Sequence, residues 1–202
     1  MRLLSRVVAP AMLALAVGGC SLSGLLGGGG KAPATLLTLT PESPATGEFT
    51  RAANAGQAVT VSVPSIAKEL RTVRIPVRVT PTDVQYVTDA QWVDTPDRLF
   101  ANLVAETIRR NTNRVVLDRG LTGLDPGLIV SGELQTFGYD AAARQAVVRF
   151  DGALSTAGGT RVETRRFEAT VPSDGSAAGI GPALNRAANE VATKVAAWVG
   201  NG

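Results

Sequence analysis

A single cysteine, Cys20, constrains what this 202-residue chain can fold into more than any other residue. It follows a basic start with two arginines and no acid, and then an apolar run over residues 7–17, shorter than the ~20 residues that span a bilayer. This order, with small residues before a cleavage point, is typical of a secretory signal. With one cysteine the exported chain forms no internal disulfide, so the fold must depend on packing and hydrogen bonds.

The residues around Cys20 indicate how this cysteine is used. The segment 17–20 (VGGC) resembles the lipobox of bacterial lipoproteins, in which a lipidated cysteine becomes the first mature residue. The alternative is an ordinary signal peptide that happens to contain a cysteine, but an odd thiol in an exported chain calls for another role. We therefore expect residues 1–19 to be a signal peptide and Cys20 to carry lipid. Ser21, rather than Asp, follows, which in related lipoproteins favours transfer to the outer membrane.

Composition divides the rest of the chain into a tether and one domain. Residues 20–34 include four successive glycines and are expected to be a lipidated flexible tether, with an average reach of ~20 Å. Residues 35–202 are long enough for one core and short for two. Within them, residues 41–58 are rich in small polar residues, Pro and Gly, and are expected to be a mobile linker.

Hydrophobic periodicity predicts an α+β fold. Thr95 as N-cap and Pro96 at the first helical position predict a helix that runs to about Arg110. Pro76 cannot donate to a strand ladder, so its strand is expected at an edge of the sheet or bulged at that point. We expect a single domain with one mainly antiparallel sheet and two helices packed on one face. The predicted strands cover residues 35–40, 59–63, 73–79, 115–117, 128–137, 145–154 and 161–171, and the last helix covers 182–199.

The chain contains no histidine, which narrows its chemistry sharply. Ser-His-Asp triads and His-ligated metal sites are excluded, and the one cysteine is assigned to lipid. The densest acidic group, Asp83, Asp89, Asp94 and Asp97, lacks the spacing of a calcium loop and is interpreted as loop and helix-end residues. We expect no catalytic residue, no metal and no cofactor, although carboxylate pairs alone suffice for some hydrolases.

Charge gives little reason to expect a nucleic-acid partner. Removal of the signal leaves 18 basic and 17 acidic side chains. The segment 161–168 concentrates three arginines and two glutamates, which we interpret as the solvent face of a strand, with a partner-binding face as the alternative. Tyr86 and Trp92 precede the first helix and either close the core or form a contact surface. The core interpretation suits Trp92 better, and Tyr86 is the better contact candidate.

Five features occur in a fixed order: an LTL strand at 37–39, a Val-rich strand ending in Pro64 with LRTVRI at 70–75, the spacing of Tyr86, Trp92 and Pro96, RRF at 165–167 within long strands, and a final Ala-rich helix. In this order, over residues 35–199, the chain resembles the ABC-type transport auxiliary lipoproteins. The resemblance implies a non-enzymatic protein on the periplasmic face of the outer membrane, acting in lipid transport. It also implies a periplasmic partner with mammalian-cell-entry (MCE) domains, linked to a permease and an ATPase.

Two other classes remain open from the sequence. One is a scaffold lipoprotein of outer-membrane biogenesis or lipopolysaccharide assembly, and the other is a carboxylate-based envelope hydrolase. The number of copies that assemble, including a homo-oligomer, is also left open.

Overall fold

The computed structural model describes residues 35–44, 47, 50–54, 56–118, 127–156, 159 and 161–201. The predicted signal peptide, Cys20 and the tether lie outside these residues. Residues 33–202 form one compact unit. In the part of the chain that is described, neither helix is long and apolar enough to cross a membrane.

Two helices and a mixed sheet confirm the α+β prediction. The strands are β1 (Thr35–Leu37), β2 (Val59–Val61), β3 (Ser65–Ile66), β4 (Arg74–Thr80), β5 (Asp83–Trp92), β6 (Val116–Leu117), β7 (Leu128–Asp140), β8 (Gln145–Thr156) and β9 (Val162–Pro172). The helices are α1 (Pro96–Asn111), between β5 and β6, and α2 (Ala177–Gly200) after β9, with a short 3-10 helix at Lys68–Leu70. The sequence does not predict β3 or β5.

The long strand β7 organises the sheet. Along one edge it pairs with β8, which pairs with β9, and both pairings are antiparallel. Along its other edge β7 pairs with β2, β3 and β4 one after another, and all three pairings are parallel. Beyond β4 come β5, antiparallel, and then β1, parallel, while β6 adds to β2 in parallel. The longest pairings are antiparallel as predicted, and the short parallel strands make the sheet mixed.

Both helices cover the same face of this sheet. Inward residues alternate along β8 and β9, as the period of two requires. Phe150 of β8 meets Phe100 of α1, with ring centroids 5.2 Å apart. Phe167 of β9 meets Trp198 of α2 at 5.4 Å. The opposite face, which neither helix covers, is called the open face below.

Helix α2 begins five residues before the predicted start at Pro182. Ser176 is its N-cap, and the Ser176 hydroxyl accepts a hydrogen bond from the Gly179 backbone N–H at 3.0 Å. Pro182 therefore lies inside the helix rather than at its first position. The sequence predicts a start at Pro182 because proline is common at the first helical position.

The segment after β1 is fastened to α2 by two asparagines one turn apart. The backbone N–H of Thr40 donates to Asn185 Oδ1 at 2.8 Å, and Asn189 Nδ2 donates to the Thr40 carbonyl at 2.9 Å. The backbone N–H of Glu42 donates to Asn189 Oδ1 at 2.8 Å. An amide side chain supplies both a donor and an acceptor, so it can bind an extended backbone much as a neighbouring strand does.

Arginines fasten the following residues to α1. Arg110 donates to the Ser43 carbonyl at 2.7 Å, and Arg51 donates to the Arg109 carbonyl at 2.7 Å. The sequence predicts a mobile linker over residues 41–58. In the structure, Glu42, Ser43 and Arg51 of this segment make hydrogen bonds to helix residues that are distant in sequence.

Candidate partner-binding surface

Trp92, one of the two predicted contact candidates, lies in the core. It ends β5, is 1% exposed, and meets Phe137 edge-on with ring centroids 5.4 Å apart. Its indole Nε1 has no hydrogen-bond partner among the described residues. A side chain so placed has no surface to offer a partner, which agrees with the core interpretation and removes Trp92 from the contact surface.

Tyr86, the other candidate, is half-buried on the open face. Its hydroxyl donates to the Glu69 carbonyl at 3.1 Å, and the guanidinium of Arg74 lies 4.2 Å from its ring centroid. This cation–π contact holds the ring in place while leaving part of it accessible. Tyr86 therefore stays a candidate contact.

A bulge separates Tyr86 from Trp92. Six residues apart in a regular strand, the two side chains would share a face. The register runs from Arg74 opposite Gln91 to Pro76 opposite Tyr86, so β5 carries three more residues than β4 over this stretch. An odd number of extra residues turns the following side chains to the other face. Since β4 lies between β5 and β7, Pro76 is not at an edge, and the bulge alternative of its prediction is the correct one.

A cleft of about 300 Å³ lies over β4, β7 and β8 on the open face. Strands β4 and β7 approach closely at Gly138, where a Cβ atom would stand 2.6 Å from the Pro76 carbonyl oxygen. The cleft combines apolar and charged side chains. Its lining includes Glu69, Arg78, Val84, Thr136, Asp140, Gln145, Val147, Arg149 and Glu168.

Three ion pairs of the described residues lie along the open face. Arg78 meets Glu69 at 3.5 Å, and Arg149 bonds Glu168 across β8 and β9. Next to them, Arg166 donates to both carboxylate oxygens of Asp151 at 2.6 Å. The hydrogen bond from Arg166 holds the pKa of Asp151 below its ordinary value, so this carboxylate is ionised at neutral pH. These pairs present oriented charges to a partner, and Glu69, Glu168 and Asp151 are each occupied by an arginine.

The four predicted loop acids do not converge. Asp83 begins β5, and Asp89 is exposed on its bulge. Asp94 accepts a hydrogen bond from the Thr95 backbone at 2.7 Å, and Asp97 lies in the first turn of α1. Within the described residues, no three His, Cys, Asp or Glu side chains come close enough to hold a metal ion.

The basic segment of β9 is exposed but divided between two faces. Arg166 and Glu168 lie on the open face with their partners from β8. Arg165 lies over the ring of Phe167 at 5.5 Å, and Glu163 accepts a hydrogen bond from Trp198 Nε1 at 2.7 Å. The prediction that these charges share a single solvent face is therefore wrong. Because side chains alternate between the two faces of a strand, every second charged residue of this segment lies beside the end of α2.

Sequence reasoning did not find the residues of the cleft. Arg78, Arg149 and Glu69 come from β4, β8 and the 3-10 helix, so only the register of the sheet brings them together. One signal was available. Arg149 and Glu168 are opposite charges on two predicted neighbouring strands, and a correct hairpin register places them side by side.

Comparisons with known proteins agree with this fold. A crystal structure from Xanthomonas campestris, of family designation DUF330, superposes with a TM-score of 0.65 at 21% identity, covering 84% of this chain and 93% of the other. A second crystal structure, of an uncharacterized protein, gives 0.66 at 11% identity, covering 83% and 99%. At these identities the likeness shows the fold alone. A comparison with curated proteins gives no match.

A family profile, in contrast, matches most of the folded domain. The profile describes the ABC-type transport auxiliary lipoprotein component and covers residues 37–196. The matched region runs from the end of β1 into the last turns of α2, and so includes the cleft and strands β2 to β9. The chain therefore belongs to the family of ABC-type transport auxiliary lipoproteins.

Proposed function

We propose that this protein is the docking lipoprotein of an MCE-type ABC lipid transport system. Lipid on Cys20 anchors it to the periplasmic face of the outer membrane, where the folded domain binds the periplasmic MCE-domain protein. ATP hydrolysis and membrane passage belong to the permease and ATPase, which this chain reaches only indirectly. The family match over residues 37–196 is the observation that carries the proposal, since it concerns an auxiliary lipoprotein of ABC transport.

The chemistry of the domain supports a binding role over an enzymatic one. The chain has no histidine, and its one cysteine is the candidate for lipid attachment. Along the open face, Glu69, Glu168 and Asp151 each bond an arginine. Charges oriented in this way suit the recognition of a partner.

The open face is the best candidate for the docking surface. Tyr86 beside Arg74 offers an aromatic and a cationic group, the two kinds of side chain most enriched where binding energy concentrates. The adjoining cleft adds a concave, mixed polar and apolar surface. A polar, charge-paired surface of this kind suits a partner that engages specifically.

Partner capture tests the docking role. The full chain, tagged at its carboxyl end, is expressed with the MCE-domain protein, permease and ATPase encoded beside it, and is captured in mild detergent. We expect the MCE-domain protein to co-purify, and Tyr86→Ala to weaken its binding by at least ~10-fold. Glu190→Ala, an exposed change on α2, which covers the opposite face of the sheet, is the matched control and should bind as wild type.

Two results would count against docking. One is capture of no MCE-domain protein while its complex with the permease stays intact. The other is capture of outer-membrane or lipopolysaccharide assembly proteins instead, which would favour the scaffold alternative.

Cys20→Ser tests the anchor separately. The variant should remain unprocessed after Gly19 or be released from the outer membrane, because lipid on Cys20 is the proposed attachment. Mass spectrometry of the mature amino terminus and membrane fractionation measure this. A free, unmodified Cys20 in the wild-type protein would show that the proposed anchor is wrong.

A further inference from the structure

Two exposed apolar side chains lie together at the β1 edge of the sheet. Leu36 is 60% exposed and Val93 is 54% exposed, two of the four large apolar side chains exposed in the described part of the chain. Leu36 is paired with Gln91, two residues before Val93, and the Val93 N–H donates to the Leu37 carbonyl at 2.8 Å. The two side chains therefore point the same way. We call them the β1-edge patch.

This patch faces away from the core. Its neighbours Leu37 and Trp92 alternate with it and point inward, Leu37 onto α2 at Gly181 and Trp92 onto Phe137. A Cβ atom at Gly181 would stand 2.9 Å from Leu37 Cδ1, so the helix holds β1 in close contact. The exposure of Leu36 is thus fixed by the fold, because turning it inward would expel Leu37.

The predicted tether joins the fold beside the patch. The strand β1 begins at Thr35, so Leu36 is the second residue after the segment 20–34. With an average reach of ~20 Å, that segment keeps the patch close to the lipid anchor. When a short flexible segment links two weak contacts and the first has formed, the second site behaves as if it were present at millimolar concentration. Two apolar side chains can therefore rest on a bilayer that they would not bind alone.

Charges around the patch balance and do not select a lipid. Arg71 and Arg98 line a depression with Asp94 and Asp97 beside the patch. Arg74, opposite Gln91, and the exposed Asp89 add one charge of each sign. A balanced rim gives no electrostatic preference for anionic lipid, so the apolar side chains must provide the attraction.

We propose that the β1-edge patch, Leu36 with Val93, lies against the bilayer that holds the lipid anchor. This inference rests on the lipid anchor of the proposed function, but not on the MCE-domain partner. Five strand spacings of ~4.8 Å separate β1 from β9, so the opposite edge of the sheet is about 24 Å from the patch. The patch thereby sets which edge of the domain faces the envelope space.

Site-directed spin labelling tests the contact. Since Cys20 carries lipid, Leu36→Cys, Val93→Cys and Val162→Cys each leave one free thiol for a nitroxide label. Val162 is 60% exposed and lies on β9, so it is the matched control. The lipidated full chain is reconstituted in phosphatidylcholine vesicles, and collisions with a water-soluble nickel chelate are measured. We expect the labels at 36 and 93 to be about fivefold less accessible than the label at 162, because interfacial groups sink below the aqueous boundary.

The outcomes test the proposed patch and the proposed lipid anchor separately. Protein that floats with vesicles but shows equal accessibility at all three positions overturns the patch and leaves the anchor intact. Protein that does not float overturns both. Protection that appears only when phosphatidylglycerol is added also contradicts the apolar contact. The Cys20→Ser chain that is released in soluble form, mixed with the same vesicles, should show no protection at position 36 or 93 and still capture the MCE-domain protein in detergent.

Discussion

Replacing Trp92 with Ala should lower the free energy of unfolding by about 3–5 kcal/mol. The indole is 1% exposed and contacts Phe137, so truncation leaves a cavity that the surrounding strands and helices cannot close fully. For a domain of this size the melting temperature should fall by about 6–20 °C. Denaturant titration followed by the fluorescence of Trp198, the other tryptophan of the chain, measures the change.

The neighbouring residue supplies the control for this result. Val93→Ala removes an exposed side chain and should change stability by less than ~0.5 kcal/mol. A Trp92→Ala protein that unfolds at the wild-type denaturant concentration would show that Trp92 is not part of the core. It would return this residue to the list of contact candidates.

Gly132→Ala should destabilise the protein by at least about 3 kcal/mol. Gly132 has φ +145° in the middle of β7, a conformation that side chains disfavour. A Cβ atom there would also stand 2.1 Å from the backbone oxygen of Asp151 on β8. Neither strand can shift without breaking the ladder that joins them. Thermal unfolding and the yield of folded protein measure the effect.

Gly47→Ala is the matched control, because a Cβ atom at that position meets nothing within 4 Å. Stability should stay the same or rise by up to ~1 kcal/mol, since Ala restricts the unfolded chain. If Gly132→Ala were as stable as Gly47→Ala, the close approach of β7 and β8 at this point would be wrong.

Elements defined by local signals were predictable from the sequence. Helix α1 begins at Pro96, as the Thr95–Pro96 pair predicts, although the Thr95 hydroxyl makes no capping hydrogen bond. The long strands β7, β8 and β9 were also found, because their alternation extends over many residues. In each case the information lies within a few residues of the element itself.

Features that depend on distant partners were not predictable. Strand β5 lacks regular alternation. The bulge between Tyr86 and Gln91 places the side chains of Tyr86 and Trp92 on opposite faces of the sheet. The hydrogen bonds of Glu42 and Ser43 are another example, because their partners Asn189 and Arg110 occur more than sixty positions later in the sequence. The cleft depends on the same kind of long-range register. The composition of a local segment does not indicate such pairings.

The order in which β7 receives its partners has a consequence for how the protein is made. The strands β2, β3 and β4 are early in the chain, yet each pairs with β7, which comes only after α1 and β6. Pairings between segments so distant in sequence form slowly, because a long loop must close first. An emerging chain therefore cannot complete this sheet until its last third is available.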